Sequence, residues 1–311
     1  MAQDLTLSAR AQAAFYGFST RFHMGLKKAP IFWQKVATEI PSDTETEIHA
    51  WLEMIPGMKK WVDERHFHSL GSADYRLTNE DWDTGFRVPR NKVRDDKLGL
   101  YGTNAEMLGD QAAKWPDVQI ADRMKNGHTS GAAYKCFDGK PFFATDHPAS
   151  VNGQVSTTYR NIRTGFALTE ANFNAAYAEM QALPGPDGQP LGIIPTHLVG
   201  PPALRSQVFE IAKSGLIVAA SGNAAKENIN QGIVEPIIIP ELAGADADWY
   251  LLALGQVVKP FIFQLREAPT FDEIAGFDSL HCKLKKEMLY GTDARGAFGY
   301  SFPQFAFKGR G

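Results

Sequence analysis

The stretch that decides the fold spans residues 94–126 and reads RDDKLGLYGTNAEMLGDQAAKWPDVQIADRMKN. Its apolar residues recur at alternating spacings of three and four, which places them on one side of a helix. Asp95 and Asp96 precede this run, where carboxylates accept hydrogen bonds from free backbone amides, and Asn126-Gly127 ends it. The pattern therefore predicts a long helix with one buried side. That side is formed by Leu98, Tyr101, Ala105, Leu108, Ala112 and Trp115.

Pro116 lies in the middle of this predicted helix. Proline lacks a backbone amide hydrogen, so it either kinks a helix or serves as the first residue of a new one. Both arrangements agree with the spacing of the apolar residues. In either case, a long helix that is apolar on one side is expected to be a spine against which sheets pack.

Length and composition indicate a globular protein. The 311 residues, 44% of them hydrophobic, suffice for two domains or one elaborated domain. The net charge of −3 provides no basic surface for specific nucleic-acid binding, although a near-neutral wall could still enclose DNA. Two cysteines are too few for a disulfide framework, and both are predicted to be free thiols in a reducing compartment. No signal peptide or membrane span is predicted.

The N-terminal region predicts a helix followed by two strands. Residues 6–22 carry an apolar stripe at helical spacing that includes Phe15 and Phe18, which describes an arm with one adhesive side. Residues 32–40 and 45–52 resemble short strands and are expected to pair with each other.

Residues 55–89 are rich in charged and aromatic residues but poor in aliphatic ones. Residues 75–77 and 82–88 resemble two strands joined by a polar turn, so a projecting β-hairpin is predicted. Such a projection would expose more aromatic surface than a monomer tolerates, so we expect it to lie on another chain. The alternative is that the segment folds back on its own domain. The predicted inter-subunit contact residues are Trp61, Arg65, Phe67, Tyr75, Trp82 and Phe86 of this segment, together with Phe15 and Phe18 of the arm.

The remaining chain alternates helices and strands. Asp138-Gly139 predicts a hairpin turn, and Thr169 is placed to cap a helix whose Leu168 and Phe173 form a hydrophobic staple. Residues 165–257 read as a compact α/β domain in which 221–232 form an exposed loop. Strands are predicted over the tail at residues 260–266, 279–290 and 297–307.

Two groups of side chains could bind a metal ion. His66 and His68 share one face of a predicted strand, with Asp63, Glu64 or Asp74 as further ligands. The second group comprises Cys136, His128 and His147, although a helix–strand break separates its members. Neither group has a recognised ligand spacing.

Catalytic motifs are also absent from the sequence. It contains neither a G-x-S-x-G elbow nor a glycine-rich phosphate loop. We therefore predict no catalytic residue, no metal and no cofactor, and this favours a structural role.

Several segments taken together resemble the major head subunit of Mu-like phages and prophages. No single segment is specific to this family, but the order and spacing of the segments over residues 7–307 are specific to it. The segments are WVDER at 61–65, YRLTN at 75–79, residues 82–88, RNKVRDDKLGLY at 90–101, DGKPFF at 138–143, HPASVNG at 147–153, PLG at 190–192, and the run from WYLL at 249–252 to residues 260–261.

The resemblance implies an α+β fold of the Hong-Kong-97 capsid type. Its implied parts are an N-terminal arm with the first strands (1–54), an extended β-hairpin loop (55–90), a peripheral domain with the spine helix (91–164), an axial α/β domain (165–257), and strands that return to the peripheral domain (258–311). It also implies a non-enzymatic major capsid protein that forms an icosahedral shell around phage DNA. No lysine–asparagine crosslink is predicted.

The implied partners are further copies of the chain, arranged as pentamers and hexamers. Scaffolding, portal and decoration proteins and non-specifically contacted DNA are also implied, with no membrane. The expected location is the virion, after assembly in the bacterial cytoplasm.

Three alternatives remain at this point. They are an encapsulin-type compartment of the same fold, a soluble metal-dependent hydrolase that uses His66 and His68, and a lesser virion component such as a decoration or tail protein.

Overall fold

A computed structural model describes residues 7–49, 75–94, 99–151, 154–185, 189–218 and 225–311. The α-helices of these residues are α1 (Leu7–Lys28), α2 (Trp33–Val36), α3 (Arg90–Arg94), α4 (Gly99–Asn126), α5 (Glu170–Gln181), α6 (Arg205–Lys213) and α7 (Leu280–Lys285). The strands are β1 (Ala37–Pro41), β2 (Thr46–Ile48), β3 (Arg76–Thr78), β4 (Glu80–Pro89), β5 (His147–Val151), β6 (Gln154–Tyr159), β7 (Ile162–Thr164), β8 (His197–Gly200), β9 (Leu216–Val218), β10 (Ala225–Glu227), β11 (Glu235–Ile238), β12 (Asp248–Leu252), β13 (Phe261–Ala275), β14 (Glu287–Tyr300) and β15 (Ala306–Arg310).

Two larger sheets organise the described residues. One has four strands in the order β1-β13-β14-β4, and its centre is the long antiparallel pair of β13 and β14. The other has five strands in the order β11-β8-β12-β15-β7 and mixes parallel with antiparallel pairs. The pairs β2-β3, β5-β6 and β9-β10 form separate two-stranded ladders.

The five-stranded sheet is covered on both faces. Alternate residues of a strand point to opposite faces, so Trp249 and Leu251 of β12 join one core cluster while Tyr250 and Leu252 join the other. The first cluster includes the buried sides of α5 and α6. Helix α5 begins where the sequence predicts it, because the Thr169 side chain accepts a hydrogen bond from the backbone amide of Asn172 at 3.2 Å.

The predicted spine helix is confirmed as α4, which continues through Pro116. The next residue, Asp117, is 1% exposed, and its Oδ1 accepts hydrogen bonds from the backbone amides of Phe32 at 3.1 Å and Trp33 at 2.7 Å. Burial raises the pKa of this carboxyl to about 6, although the two amides act in the opposite direction. The middle of α4 is thereby fixed to the segment that leads into α2 and β1.

The C-terminal end of α4 is held by side chains from three strands. The last four carbonyls of a helix lack partners within it, and here each finds one outside. The hydroxyl of Tyr300 donates to Arg123 O at 3.0 Å, and that of Tyr250 donates to Met124 O at 3.1 Å. The Nζ of Lys308 donates to Lys125 O at 2.7 Å, and Thr129 N donates to Asn126 O at 2.8 Å.

Lys308 is fully buried at this helix end. Its Nζ lies 2.8 Å from Oδ2 of Asp248 and 3.3 Å from Met124 O, besides the bond to Lys125 O. Burial lowers the pKa of Lys308, and the neighbouring Asp248 carboxylate opposes that change. The ammonium also lies at the negative end of the helix dipole, which favours a cation. Lys308 thus joins β15 and β12 of the five-stranded sheet to α4.

Helix α1 packs against α4 at a very short distance. A Cβ added at Gly25 would lie 1.9 Å from Glu106 O, and one added at Gly109 would lie 2.1 Å from Phe22 O. The two helices can therefore approach this closely only because both positions lack a side chain. The predicted stripe of α1 is confirmed as its buried side, and it faces α4 and the four-stranded sheet of the same chain.

Several predicted strand pairings are wrong. The predicted partners 32–40 and 45–52 do not pair, because β1 lies parallel to β13 and β2 pairs with β3. The segments 75–77 and 82–88 do not form a hairpin with each other either, because β4 pairs along its length with β14. The segment 132–144 contains a short 3-10 helix and one isolated bridge rather than two strands, although Gly139 adopts the expected left-handed turn conformation with φ of 77°.

The tail also differs from the prediction. Residues 280–285 form α7 rather than a strand. The last strand, β15, belongs to the five-stranded sheet, beside β12 and β7, and not to the four-stranded sheet of β13 and β14. In the predicted exposed loop, Asn228 and Asn230 are buried, because the Asn228 amide donates to carbonyls of α6 and of Ser214.

Replacing Gly25 by alanine should separate α1 from α4. The new methyl group would clash with a backbone carbonyl, so we expect a loss of about 1–3 kcal/mol in the free energy of unfolding, measured by urea denaturation. Gly17→Ala on the same helix is the control, because no atom lies within 4 Å of its added Cβ. That variant should gain about 0.5–1 kcal/mol from its higher helix propensity. Equal effects at the two sites would contradict the close approach.

Replacing Lys308 by methionine should destabilise the end of α4. The substitution leaves Asp248 as a buried charge that has lost a partner, for which a loss of about 3–5 kcal/mol in the free energy of unfolding is expected. Lys213→Met on the exposed end of α6 is the matched control and should change it by less than about 0.5 kcal/mol. Urea denaturation of the three proteins measures both values, and similar midpoints would show that Lys308 is dispensable.

Candidate assembly site

The ladder of β2 and β3 is the base of the segment 50–74. Thr46 pairs with Thr78 and Ile48 with Arg76, and the backbone amide of His49 donates to Tyr75 O at 2.8 Å. The chain therefore leaves the ladder after His49 and returns to it at Tyr75. The β2-β3 ladder thus brackets residues 50–74, which lie outside the described residues, and the extended loop at 55–90 stays a prediction.

A buried polar network fixes this base to the four-stranded sheet. Gln264 of β13 is its centre, since its Nε2 donates to Asn79 Oδ1 at 2.8 Å and its Oε1 lies 2.9 Å from His49 Nε2. Asn79 in turn donates to Ser42 Oγ at 2.8 Å and to Thr44 O at 2.9 Å. Because His49, Asn79 and Gln264 are all nearly or fully buried, these bonds constrain both ends of the ladder.

Glu47 organises the turn that precedes the ladder. Its Oε1 accepts hydrogen bonds from the backbone amides of Asp43 and Thr44, each at 2.9 Å, and from the hydroxyls of Ser42 and Thr44, each at 3.0 Å. These donors, led by the Thr44 amide, lower the pKa of Glu47 to about 2.

Two of the predicted contact residues lie in the chain's own core. Phe18 is 2% exposed and packs edge-on against Tyr290, with ring centroids 5.2 Å apart. Tyr75 is 9% exposed, and its hydroxyl accepts a hydrogen bond from Tyr300 N at 3.0 Å. The prediction that their rings face another subunit is therefore corrected, because the packing of α1 and β14 already covers them.

The other predicted contact residues fall into two groups. Trp61, Arg65 and Phe67 lie outside the described residues. Phe15, Trp82 and Phe86 are half-buried, so each retains exposed ring surface.

The residues predicted for the buried side of the spine helix are placed mostly as expected. Leu108 is buried, and Tyr101 is half-buried against the same core cluster. Trp115 is half-buried and packs against Phe263 and Phe298. Leu98 lies outside the described residues.

Trp82 and Trp115 line a cleft between α4 and the four-stranded sheet. The indole nitrogens of both tryptophans and the hydroxyl of Thr292, which lies in the same lining, are buried and have no hydrogen-bond partner among the described residues. The rest of the polar lining is formed by Asp83, Thr84, Gln111 and Asp293. The cleft thus offers an apolar surface with three unused hydrogen-bonding groups.

The predicted grouping of Cys136, His128 and His147 is partly wrong. Cys136 and His147 do converge, but on Asp138 rather than on His128, whose Nδ1 contacts Lys125 O at the end of α4. Cys136 Sγ lies 2.8 Å from Asp138 Oδ1, and His147 Nδ1 lies 2.6 Å from Asp138 Oδ2. His66 and His68 lie outside the described residues.

This cluster is unsuited to nucleophilic catalysis in the arrangement shown. Burial, reinforced by the neighbouring Asp138 carboxylate, raises the pKa of the Cys136 thiol well above its usual range. Burial also acts to raise the pKa of Asp138, but the hydrogen bond and the charge of His147 outweigh it and lower that pKa. The thiol faces a carboxylate instead of an imidazole base, so nothing in the cluster activates it.

The buried network at the loop base was missed from the sequence. Gln264 lies 185 residues from Asn79 and 215 from His49, so no local pattern connects them. Glu47 had a local signal, because a carboxylate that closely follows Ser42-Asp43-Thr44 is suited to accept their free donors.

Comparison with known proteins identifies a family that spans the chain. The profile described as "Mu-like prophage major head subunit gpT" matches residues 11–167, 162–242 and 238–311. The chain is 26% identical to the Mu-like prophage FluMu major head subunit of Haemophilus influenzae over 303 residues, which are 96% of this chain and 73% of that protein. It is 25% identical to the major capsid protein of Escherichia phage Mu over 304 residues, which are 97% of this chain and 74% of that one.

The fold agrees with this assignment. A subunit of the procapsid of bacteriophage JBD30 superposes with a TM-score of 0.60 at 23% identity, over 96% of this chain and 74% of that one. The predicted Hong-Kong-97-type capsid fold is thus confirmed, and the family match favours a head subunit over the compartment, hydrolase and minor-component alternatives.

Within the described residues, no helix has the length and apolar character needed to cross a lipid bilayer. The chain belongs to the major head subunit family of Mu-like phages and prophages, and it is a structural protein of the virion shell rather than an enzyme.

Proposed function

We propose that the chain closes an icosahedral shell as pentamers and hexamers, and that the loop 50–74 of each copy lies across a neighbouring subunit. The observation that carries this proposal is the loop base. Its two strands are paired, and a buried network that includes Gln264 fixes them to β13. A base held this firmly can transmit a contact made by the loop to the whole subunit.

The half-exposed aromatic residues support contacts outside the loop as well. Trp82 and Phe86 lie on β4, which is an edge strand of its sheet, and Phe15 lies on α1. We propose that these residues, together with Trp61, Arg65 and Phe67 of the loop, contact neighbouring copies.

The remaining partners follow from the proposed assembly. A closed shell that encloses DNA needs a portal for its entry, and we propose that separate scaffolding and decoration proteins act during and after assembly in the host cytoplasm. The net charge of −3 agrees with weak, non-specific contact between the wall and packaged DNA.

Removal of the loop should abolish assembly without unfolding the subunit. His49 and Tyr75 are hydrogen-bonded neighbours, so replacing residues 50–74 by Asn-Gly closes the ladder with a favoured two-residue turn. Negative-stain electron microscopy should show shells or capsomer-like rings for the intact chain and none for the variant. Urea denaturation is the control that the variant is folded.

A second variant, Trp61→Ala with Phe67→Ala, tests the aromatic contacts while keeping the loop length. It should assemble less than the intact chain at equal concentration, as measured by sedimentation. Shells from the loop-deleted variant would refute the role of the loop. An intact chain that stays monomeric at high concentration, even with its scaffolding protein, would refute self-assembly.

Glu47 should make the loop base sensitive to acid. Its pKa in the folded state, about 2, is below the ordinary value of 4.5, so its stabilising effect is complete above pH 4.5 and is lost as the pH falls through 2. Glu47→Gln should therefore be less stable than the native chain at neutral pH, and the difference should shrink between pH 4.5 and 2. Urea midpoints across this range measure it.

Glu45→Gln is the matched control for this substitution. Glu45 lies two residues away in the same segment and is exposed, so its replacement should leave the midpoint unchanged. A constant difference between Glu47→Gln and the native chain at every pH would show that the carboxylate charge is not responsible.

A further inference from the structure

The buried cluster of Cys136, Asp138 and His147 has no role in the proposed assembly. The turn at Asp138-Gly139 places Cys136 and Asp138 side by side, and His147 enters from the first residue of β5. A sulfur, an oxygen and a nitrogen atom from the three side chains all lie within 4.8 Å of one another. Their side chains are almost completely enclosed, with His147 0% and Asp138 7% exposed.

The atoms around the cluster hold these three side chains in fixed orientations. His147 Nε2 lies 3.1 Å from Phe142 O, which leaves Nδ1 directed at Asp138. Asp138 Oδ1 accepts a hydrogen bond from Lys140 N at 2.9 Å, and the Tyr159 ring stacks on the imidazole with centroids 5.1 Å apart. A histidine that donates its second nitrogen to a backbone carbonyl, beside a carboxylate held by an amide, is the usual support of a metal site.

The charges of the three ligands suit one divalent cation. The two positive charges of such an ion would balance the Cys136 thiolate and the Asp138 carboxylate beside a neutral His147 imidazole, so the occupied site would carry no net buried charge. The protons that the ligands lose on binding would be released to solvent.

We propose that Cys136 Sγ, Asp138 Oδ2 and His147 Nδ1 bind one Zn²⁺ ion as a structural site. Zinc accepts this combination of sulfur, oxygen and nitrogen ligands, and a thiolate favours it over the harder cations. The Lys140 carbonyl oxygen, 3.4 Å from Sγ, or a water completes four ligands.

The shifts that binding requires are small. Tetrahedral coordination at ordinary zinc–ligand distances separates neighbouring ligand atoms by about 3.4–3.6 Å. The present separation of 2.6 Å between Nδ1 and Oδ2 needs to widen by about an ångström or less. The donor atoms of the three residues lie within 4.8 Å of one another, so Sγ also needs only a short movement to join them. The bound ion would tie the turn at residues 136–140 to β5, and through it to the β5-β6 ladder.

The zinc content of the purified protein tests the proposal directly. The full chain is produced in zinc-supplemented medium, because the enclosed cluster must be loaded during folding, and zinc per chain is determined by elemental analysis after gel filtration. We expect equimolar zinc for the native chain, loss of the zinc for Cys136→Ser, and full retention for Cys282→Ser. The last is a matched control, since Cys282 is also buried but lies on α7.

Two further measurements test the zinc site without relying on the Cys136→Ser variant. Refolding the native chain with Co²⁺ should give the visible absorption of a tetrahedral thiolate site, and this readout does not depend on any variant being folded. The variant with residues 50–74 replaced by Asn-Gly should keep its zinc, because it lacks His66 and His68 but retains the cluster. Absence of both zinc and the cobalt spectrum from the native chain would overturn the proposal, as would zinc that persists in Cys136→Ser or disappears with the loop. None of these results depends on whether shells form.

Discussion

The end of the spine helix is the point on which the two sheets depend. Tyr300, Tyr250 and Lys308 come from β14, β12 and β15, and each donates to a different one of the last carbonyls of α4. Buried carbonyls that lack hydrogen-bond partners destabilise a fold, so the end of α4 can be buried only because these bonds form. They also determine where the four-stranded and five-stranded sheets lie relative to α4, because one strand of the first and two of the second reach the same helix end.

The rest of α4 is constrained both by close packing and by hydrogen bonds. Gly25 and Gly109 allow α1 to pack directly on it, and Asp117 fixes its middle to the segment before β1. The buried amide of Gln264 adds a further constraint, because it connects β13 to the β2-β3 ladder through His49 and Asn79.

The residue types of the candidate site could be predicted from the sequence, but few of the contacts between those residues could. The aromatic segment was predicted as a contact surface, and Trp82 and Phe86 do keep exposed ring surface. Tyr75 could not be separated from them, because its burial depends on the backbone amide of Tyr300, 225 residues away. The sequence indicated that Cys136 and His147 could meet, but it suggested His128 as the third residue instead of Asp138. The turn at Asp138 could be predicted from the sequence, whereas the position of that turn relative to β5 could not.

The sequence by itself determined the elements whose signals are local. The 3.6-residue period of α1 and α4, the Thr169 cap and the left-handed Gly139 all act over a few residues, and each was predicted correctly. Only the tertiary structure decided which strands pair, because the backbone of an exposed strand such as β4 would accept many partners equally well. Its pairing with β14, and the place of β15 beside β12, follow from the packing of distant residues around α4, which no local pattern records.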